Sequence, residues 1–117
     1  PPRSTLFPYT TLFRSRLARV LRTGSYQARI VAARALGRQV ELDNVPILIY
    51  ALTDGDPRVV REAQAGLRLT SRKFDGIELP EDFTPADRDA VVAQWQTWYK
   101  SVRPDAVFID PAPDGQK

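Results

Sequence analysis

The chain has 117 residues with 17 basic and 14 acidic side chains, a formal charge of +3, and no histidine, cysteine or methionine. The missing cysteine excludes a disulfide framework and thiolate metal sites, and the missing histidine excludes an imidazole base and ordinary zinc sites. The longest apolar run, residues 45–52, has eight residues, far fewer than the ~20 that span a bilayer. We therefore expect a non-enzymatic module without cofactor, metal or membrane span, and the compartment stays open.

Residues 1–15 read PPRSTLFPYTTLFRS and contain Thr-Leu-Phe twice. The run resembles the forward translation of a common short-read sequencing adapter, which reproduces all fifteen residues in one frame. We therefore expect 1–15 to be an artefactual leader, outside fold reasoning, and the natural chain to be a C-terminal fragment of a longer protein. Without Arg3 and Arg14 the balance is 15 basic against 14 acidic residues, or +1.

Comparison of the sequence with itself shows an internal repeat at an offset of 31 residues. The shift places Leu17, Leu21, Gly24, Ala32 and Leu36 on Leu48, Leu52, Gly55, Ala63 and Leu67. Each copy has the pattern of a short helix, a glycine-containing turn and a longer helix, which predicts two helical hairpins over 16–72, the first of them truncated.

The longer helices are predicted over about 27–38 and 58–72. In the second copy Asn44 is expected to cap a helix with Pro46 in its first turn, and Asp56 to cap the next helix ahead of Pro57. Asp54 and Asp56 flank a glycine but lack the further ligands of a calcium loop. The predicted buried stripes are Ala28, Val31, Ala32, Ala35 and Leu36 in the first helix, and Val59, Ala63, Ala65 or Gly66, Leu67 and Thr70 in the second.

The stretch VPILIYALTDGDPRVVREA, residues 45–63, resembles a HEAT repeat of the short bacterial kind, and QARIVAARALG, residues 27–37, resembles the second helix of a preceding one. Arg29 matches an arginine common early in that helix, whereas Val60 takes the aligned position in the next copy. The resemblance implies an all-α fold, an α-solenoid of helical hairpins, and a partner-binding role without a chemistry of its own.

Residues 73–83 form an acidic sequence with Gly76 and Pro80 and are predicted to be a loop. Thr84 and Pro85 then start a helix through 103, whose predicted apolar face carries Val91, Trp95, Trp98 and Val102. We expect this helix to cap the second hairpin. The tail 104–117 is predicted to be irregular, with Val107, Phe108 and Ile109 able to dock back.

Charge is distributed unevenly, since 16–38 carries six arginines and no acid whereas 74–117 sums to −5. We expect a candidate binding surface formed by Arg19, Arg22, Arg29, Arg34, Arg38 and Tyr99, the tyrosine lying off the predicted apolar face. Arginine stems also cover apolar surface while their charged ends stay in water, so these side chains need not share one surface.

A protein-binding scaffold is the function that these features favour, with an unidentified protein partner. An alternative is a basic solenoid that binds nucleic acid, which requires the five arginines to converge on one surface and predicts strongly salt-dependent binding. A second alternative is the accessory helical end of a larger enzyme.

Overall fold

A computed structural model describes residues 2–73 and 76–108, and for residues 2–11 it describes the backbone alone. Five α-helices, and no strand, occur in this part of the chain. They are α1 (Pro2–Thr23), α2 (Tyr26–Gln39), α3 (Val45–Ala51), α4 (Pro57–Ser71) and α5 (Pro85–Val102), with a 3-10 turn at Leu42–Asn44 before α3. The prediction of an all-α fold is confirmed. The first predicted hairpin begins at Arg16, whereas helix α1 already begins at Pro2.

Short-range capping accounts for three helix starts. Ser25 accepts a hydrogen bond from the Ala28 amide, and Asp56 accepts one from the Arg58 amide. Thr84 and Asp87 form a reciprocal capping box, with distances of 3.0 and 3.1 Å. These side chains satisfy amides that a helix start leaves without an intrahelical partner. The predicted caps at Asp56 and Thr84 are confirmed.

The prediction that Asn44 caps α3 is wrong. Its backbone is helical, because the 3-10 turn leads directly into α3, and its side chain makes no capping bond. The amide instead points into the core, where it donates to the Leu36 carbonyl and to Gln39 Oε1 at 2.7 Å. Its oxygen accepts from Arg14 Nε at 2.6 Å. A fully buried amide needs such partners, and these bonds tie α3 to α2 and α1.

The core lies where α1 packs on α2, α3 packs on α4, and α2 contacts α4. Most of the predicted stripes are buried, and α4 buries Gly66 rather than Ala65. Val31 contradicts its prediction, since it is 60% exposed. Ala28, Ala35 and Thr70 are only partly buried. Helix α2 is rotated so that Ala33 and Gly37 face inward, which turns Val31 toward solvent.

Helix α5 buries Val91 and Trp95 as predicted, but its third core residue is Tyr99, which is 3% exposed. Trp98 is half-buried and Val102 is 43% exposed. The buried set therefore repeats every four residues, which follows one side of the helix. The prediction that Tyr99 is a surface contact is wrong, because its ring packs beside Trp98 and Phe108.

The segment after α5 is described as far as Phe108. Phe108 docks back as predicted, with its ring centroid 6.0 Å from that of Tyr99. Val107 does not, since it is 83% exposed. The predicted docking of Ile109, the tail beyond it, and Phe74 and Asp75 of the acidic loop lie outside the described residues.

Candidate interaction surface

Three exposed arginines lie on α1. Arg16, Arg19 and Arg22 follow one another at three-residue spacing, on the side of the helix opposite the buried Leu21. Of the side chains that the structure describes, none forms an ion pair with them. This group is basic and faces away from the core.

Arg29 has a different environment from the other predicted arginines. Its guanidinium binds the Asp54 carboxylate through two nitrogens, at 2.8 and 3.2 Å, and donates to the Gly24 carbonyl at 2.8 Å. A two-pronged pairing of this kind fixes both orientation and distance. Arg29 therefore joins the turn before α2 to the turn before α4, and it is not part of an exposed basic surface.

Helix α2 presents one continuous outward stripe. Gln27, Val31, Arg34 and Arg38 recur at spacings of four, three and four residues, and all are exposed. Arg38 has no ion-pair partner within the described residues. The predicted site residues Arg34 and Arg38 thus share a face with each other. Among the described side chains, no hydrogen bond or ion pair joins either of them to the arginines of α1.

Helix α4 continues this stripe. Arg34 Nη2 lies 3.0 Å from Glu62 Oε2, and the Arg58 guanidinium lies 4.4 Å from the centre of the Tyr26 ring. These two contacts bring the outward sides of α2 and α4 together, next to the exposed Ala65 and Leu69. We call the surface formed by Val31, Arg34, Arg38, Arg58, Glu62, Ala65 and Leu69 the α2–α4 face.

The α2–α4 face is positively charged. Of the residues that form it, three are arginines (Arg34, Arg38 and Arg58) and one is an acid, Glu62. The hydrogen bond that Arg34 donates to the Glu62 carboxylate raises the pKa of Arg34. A bond to the Asp56 side chain likewise raises the pKa of Arg58. Both guanidinium groups therefore remain charged, and each already holds a carboxylate.

Two exposed aliphatic side chains lie on the same face. Val31 is 60% exposed and Leu69 is 44% exposed. Sequence reasoning missed both, together with the contribution of Arg58. The signal was present in α4, where Leu69 follows the buried Leu67 at a two-residue spacing that one helical stripe cannot contain.

The two carboxylates that flank Gly55 both have partners within the chain. Asp54 is held by Arg29 and by the Asp56 amide, and Asp56 caps α4. No group of three or more carboxylates within residues 2–73 and 76–108 is placed to hold a metal ion. The same ranges contain no helix with the length and hydropathy needed to cross a membrane.

Buried Tyr99 lies at the floor of an open cleft of about 630 Å³ between the start of α3 and the end of α5. Asp43 and Arg103 pair across it, and Pro46 and Val107 line its walls. The pairing with Asp43 raises the pKa of Arg103. With Asp105 also in its lining, the cleft has two carboxylates and one arginine, in contrast to the basic α2–α4 face.

No family model, curated protein or solved structure matches this chain.

Proposed function

We propose that this chain is a HEAT-like protein-interaction module whose binding surface is the α2–α4 face. The observation that carries the proposal is the juxtaposition of two outward helix stripes, joined at Arg34 and Glu62, with aliphatic side chains exposed between arginines. A protein partner can cover the aliphatic side chains and pair with the arginines beside them, and arginine is enriched at protein interfaces.

Features at equivalent repeat positions support the solenoid part of the proposal. Ser25 and Asp56 are 31 residues apart, and both cap the second helix of a pair. The Arg29–Asp54 ion pair links the corresponding turns of the two pairs. Stacked hairpins that share a core leave one side of each second helix free for a partner. In this arrangement α5 is the capping helix, since Trp95 bonds to Gln64 on the side of α4 away from α2.

A nucleic-acid-binding solenoid is the competing proposal, favoured by the exposed arginines of α1. It requires a converging basic surface, whereas Arg29 is held by Asp54 and Glu62 lies beside Arg34. With Glu62 among them, the arginines of the α2–α4 face do not form a continuous basic surface. The geometry therefore favours a protein partner.

Selection from a library of random 16-residue peptides tests the proposed function. The chain is the bait, and each enriched peptide is compared on the variant Val31→Asp with Leu69→Asp. Both positions are exposed, so the variant is expected to keep its circular dichroism spectrum. A matched control carries Val102→Asp with Val107→Asp, on exposed residues away from the face. We expect peptides that lose binding to the first variant and keep it on the second. Equal binding to both variants, or no enriched peptide, would refute the proposal.

A further inference from the structure

We infer that the α2–α4 face takes an acidic, amphipathic protein segment, in which carboxylates flank aliphatic side chains. This inference rests on the proposed function and adds the chemistry of the partner. It follows from three properties of the face: its charge, its exposed aliphatic residues and the bonding geometry of its arginines.

Charge complementarity is the first argument. The face carries three arginines, Arg34, Arg38 and Arg58, against one glutamate. Arg38 has no ion-pair partner within the described residues. Opposite potentials across an interface speed encounter and exclude partners of the wrong charge. An acidic segment therefore fits this face, and a basic segment would be repelled.

The exposed aliphatic residues are the second argument, and they distinguish a protein from a nucleic acid. Val31 and Leu69 leave 60% and 44% of their surface in water. A partner gains free energy by covering such surface with its own apolar groups. A DNA duplex presents its charged phosphates at its surface, so it would cover little of this aliphatic area.

Bonding geometry is the third argument. Arg34 and Arg58 already hold the carboxylates of Glu62 and Asp56, at 3.0 and 2.9 Å. The planar guanidinium group suits carboxylates because it offers several donors in a fixed arrangement. Arg38 lies one turn beyond Arg34 on the same stripe and is exposed. It is therefore positioned to bind a carboxylate that comes from outside the chain.

Fluorescence anisotropy with three probes tests this inference on the full chain. The first probe is a helical peptide with leucines at i, i+4 and i+7 flanked by glutamates. The second replaces every glutamate with lysine, and the third is a 20-base-pair DNA duplex. We expect the acidic peptide to bind, the basic peptide to bind at least tenfold more weakly, and the duplex to fail as a competitor.

Two pairs of variants locate the binding. Arg38→Gln is matched by Arg22→Gln, since both arginines are exposed in the last turn of their helices. Val31→Ser is matched by Val102→Ser, another exposed valine. We expect Arg38→Gln to weaken the acidic peptide about fivefold and Val31→Ser about tenfold. The matched variants should bind like the parent chain.

Several outcomes would overturn the inference. They are equal affinity for the acidic and basic peptides, equal loss in Arg22→Gln and Arg38→Gln, and duplex binding that Val31→Ser leaves unchanged. The library selection separates this failure from that of the proposed function. Binders that depend on the face but carry no acidic excess would overturn the inference alone. A library that yields no binder dependent on the α2–α4 face would refute both the inference and the proposed function.

Discussion

Gly37 of α2 and Gly66 of α4 meet across the contact between those two helices. A Cβ on Gly66 would lie 2.6 Å from the Gly37 Cα, and one on Gly37 would lie 2.7 Å from the Gly66 Cα. Both obstructing atoms belong to the backbone, so no side-chain rotation relieves the clash. The pair fixes how closely α2 and α4 approach, and with it the width of the α2–α4 face.

Gly66→Ala is therefore expected to destabilise the chain. Alanine in a helix interior favours folding by about 1 kcal/mol relative to glycine, but forcing α2 and α4 apart costs about 1–3 kcal/mol. Denaturant unfolding followed by circular dichroism measures the net change. Gly55→Ala is the control, because nothing lies within 4 Å of a Cβ at Gly55. Equal stability of Gly66→Ala and the parent chain would show that the glycine contact is not required.

A buried polar network joins α5 to α4. Trp95 Nε1 donates to Gln64 Oε1 at 2.8 Å, and Gln64 Nε2 donates to the Ile77 carbonyl at 3.0 Å. Gln64→Leu removes both bonds while keeping the side chain's approximate size. We expect a loss of about 1–3 kcal/mol in the free energy of unfolding, because two buried polar groups lose their partner.

Gln94→Leu is the matched control for this network, since Gln94 is exposed on α5. Tryptophan emission should shift to longer wavelength in Gln64→Leu if the bond holds α5 in place. Unchanged stability and emission would contradict that role of Gln64.

Much of the fold could be predicted because helix starts depend on residues close in the chain. Two helix starts are identified by a capping residue followed by proline, at Asp56–Pro57 and at Thr84–Pro85. These signals do not depend on contacts with distant parts of the chain. Side-chain burial depends on distant contacts, and the errors occurred there. The helical pattern predicts a buried Val31, yet this side chain is exposed, because a helical wheel does not show which side the neighbouring helix covers.

The candidate site was only partly predictable for the same reason. Arg34 and Arg38 share a face because they are one turn apart in one helix. Arg29 does not belong to the predicted binding surface, because it binds Asp54, 25 residues away. Tyr99 does not belong to that surface either, because α5 turns the side that carries Tyr99 toward the core. Such pairings require the tertiary arrangement of the helices.

Acid should weaken the start of α4. The Arg58 guanidinium, followed by the Arg58 backbone amide, holds the pKa of Asp56 below its ordinary value. A carboxyl whose pKa is lower in the folded than in the unfolded chain adds stability above the unfolded value, about 3.9. That stability is lost as the pH falls through the folded value.

Asp56→Asn tests this pH dependence, because asparagine caps helices well but does not titrate in this range. We expect the variant to show a smaller loss of thermal stability between pH 5 and pH 2 than the parent chain. Parallel curves for the two proteins would exclude Asp56 as a source of the acid sensitivity.

The expectation that residues 1–15 are foreign predicts that a chain beginning at Arg16 still folds. The truncation removes one identified hydrogen bond, which Arg14 Nε donates to Asn44 Oδ1 at 2.6 Å. We expect cooperative unfolding with a loss of about 1–3 kcal/mol for the buried amide oxygen. Arg14→Met in the full chain isolates that bond. A truncated chain without a cooperative transition would mean that the leader is required for folding.

The central claim is that the α2–α4 face is the binding surface, and amide chemical-shift mapping tests it most directly. The ¹⁵N-labelled chain is titrated with the acidic amphipathic peptide, and the shifted amides are located on the helices. We predict that the largest shifts cluster around Val31, Arg38 and Leu69, with smaller ones on α1 and α5. Shifts confined to Arg16–Arg22, or to the cleft beside Tyr99 and Arg103, would contradict the claim.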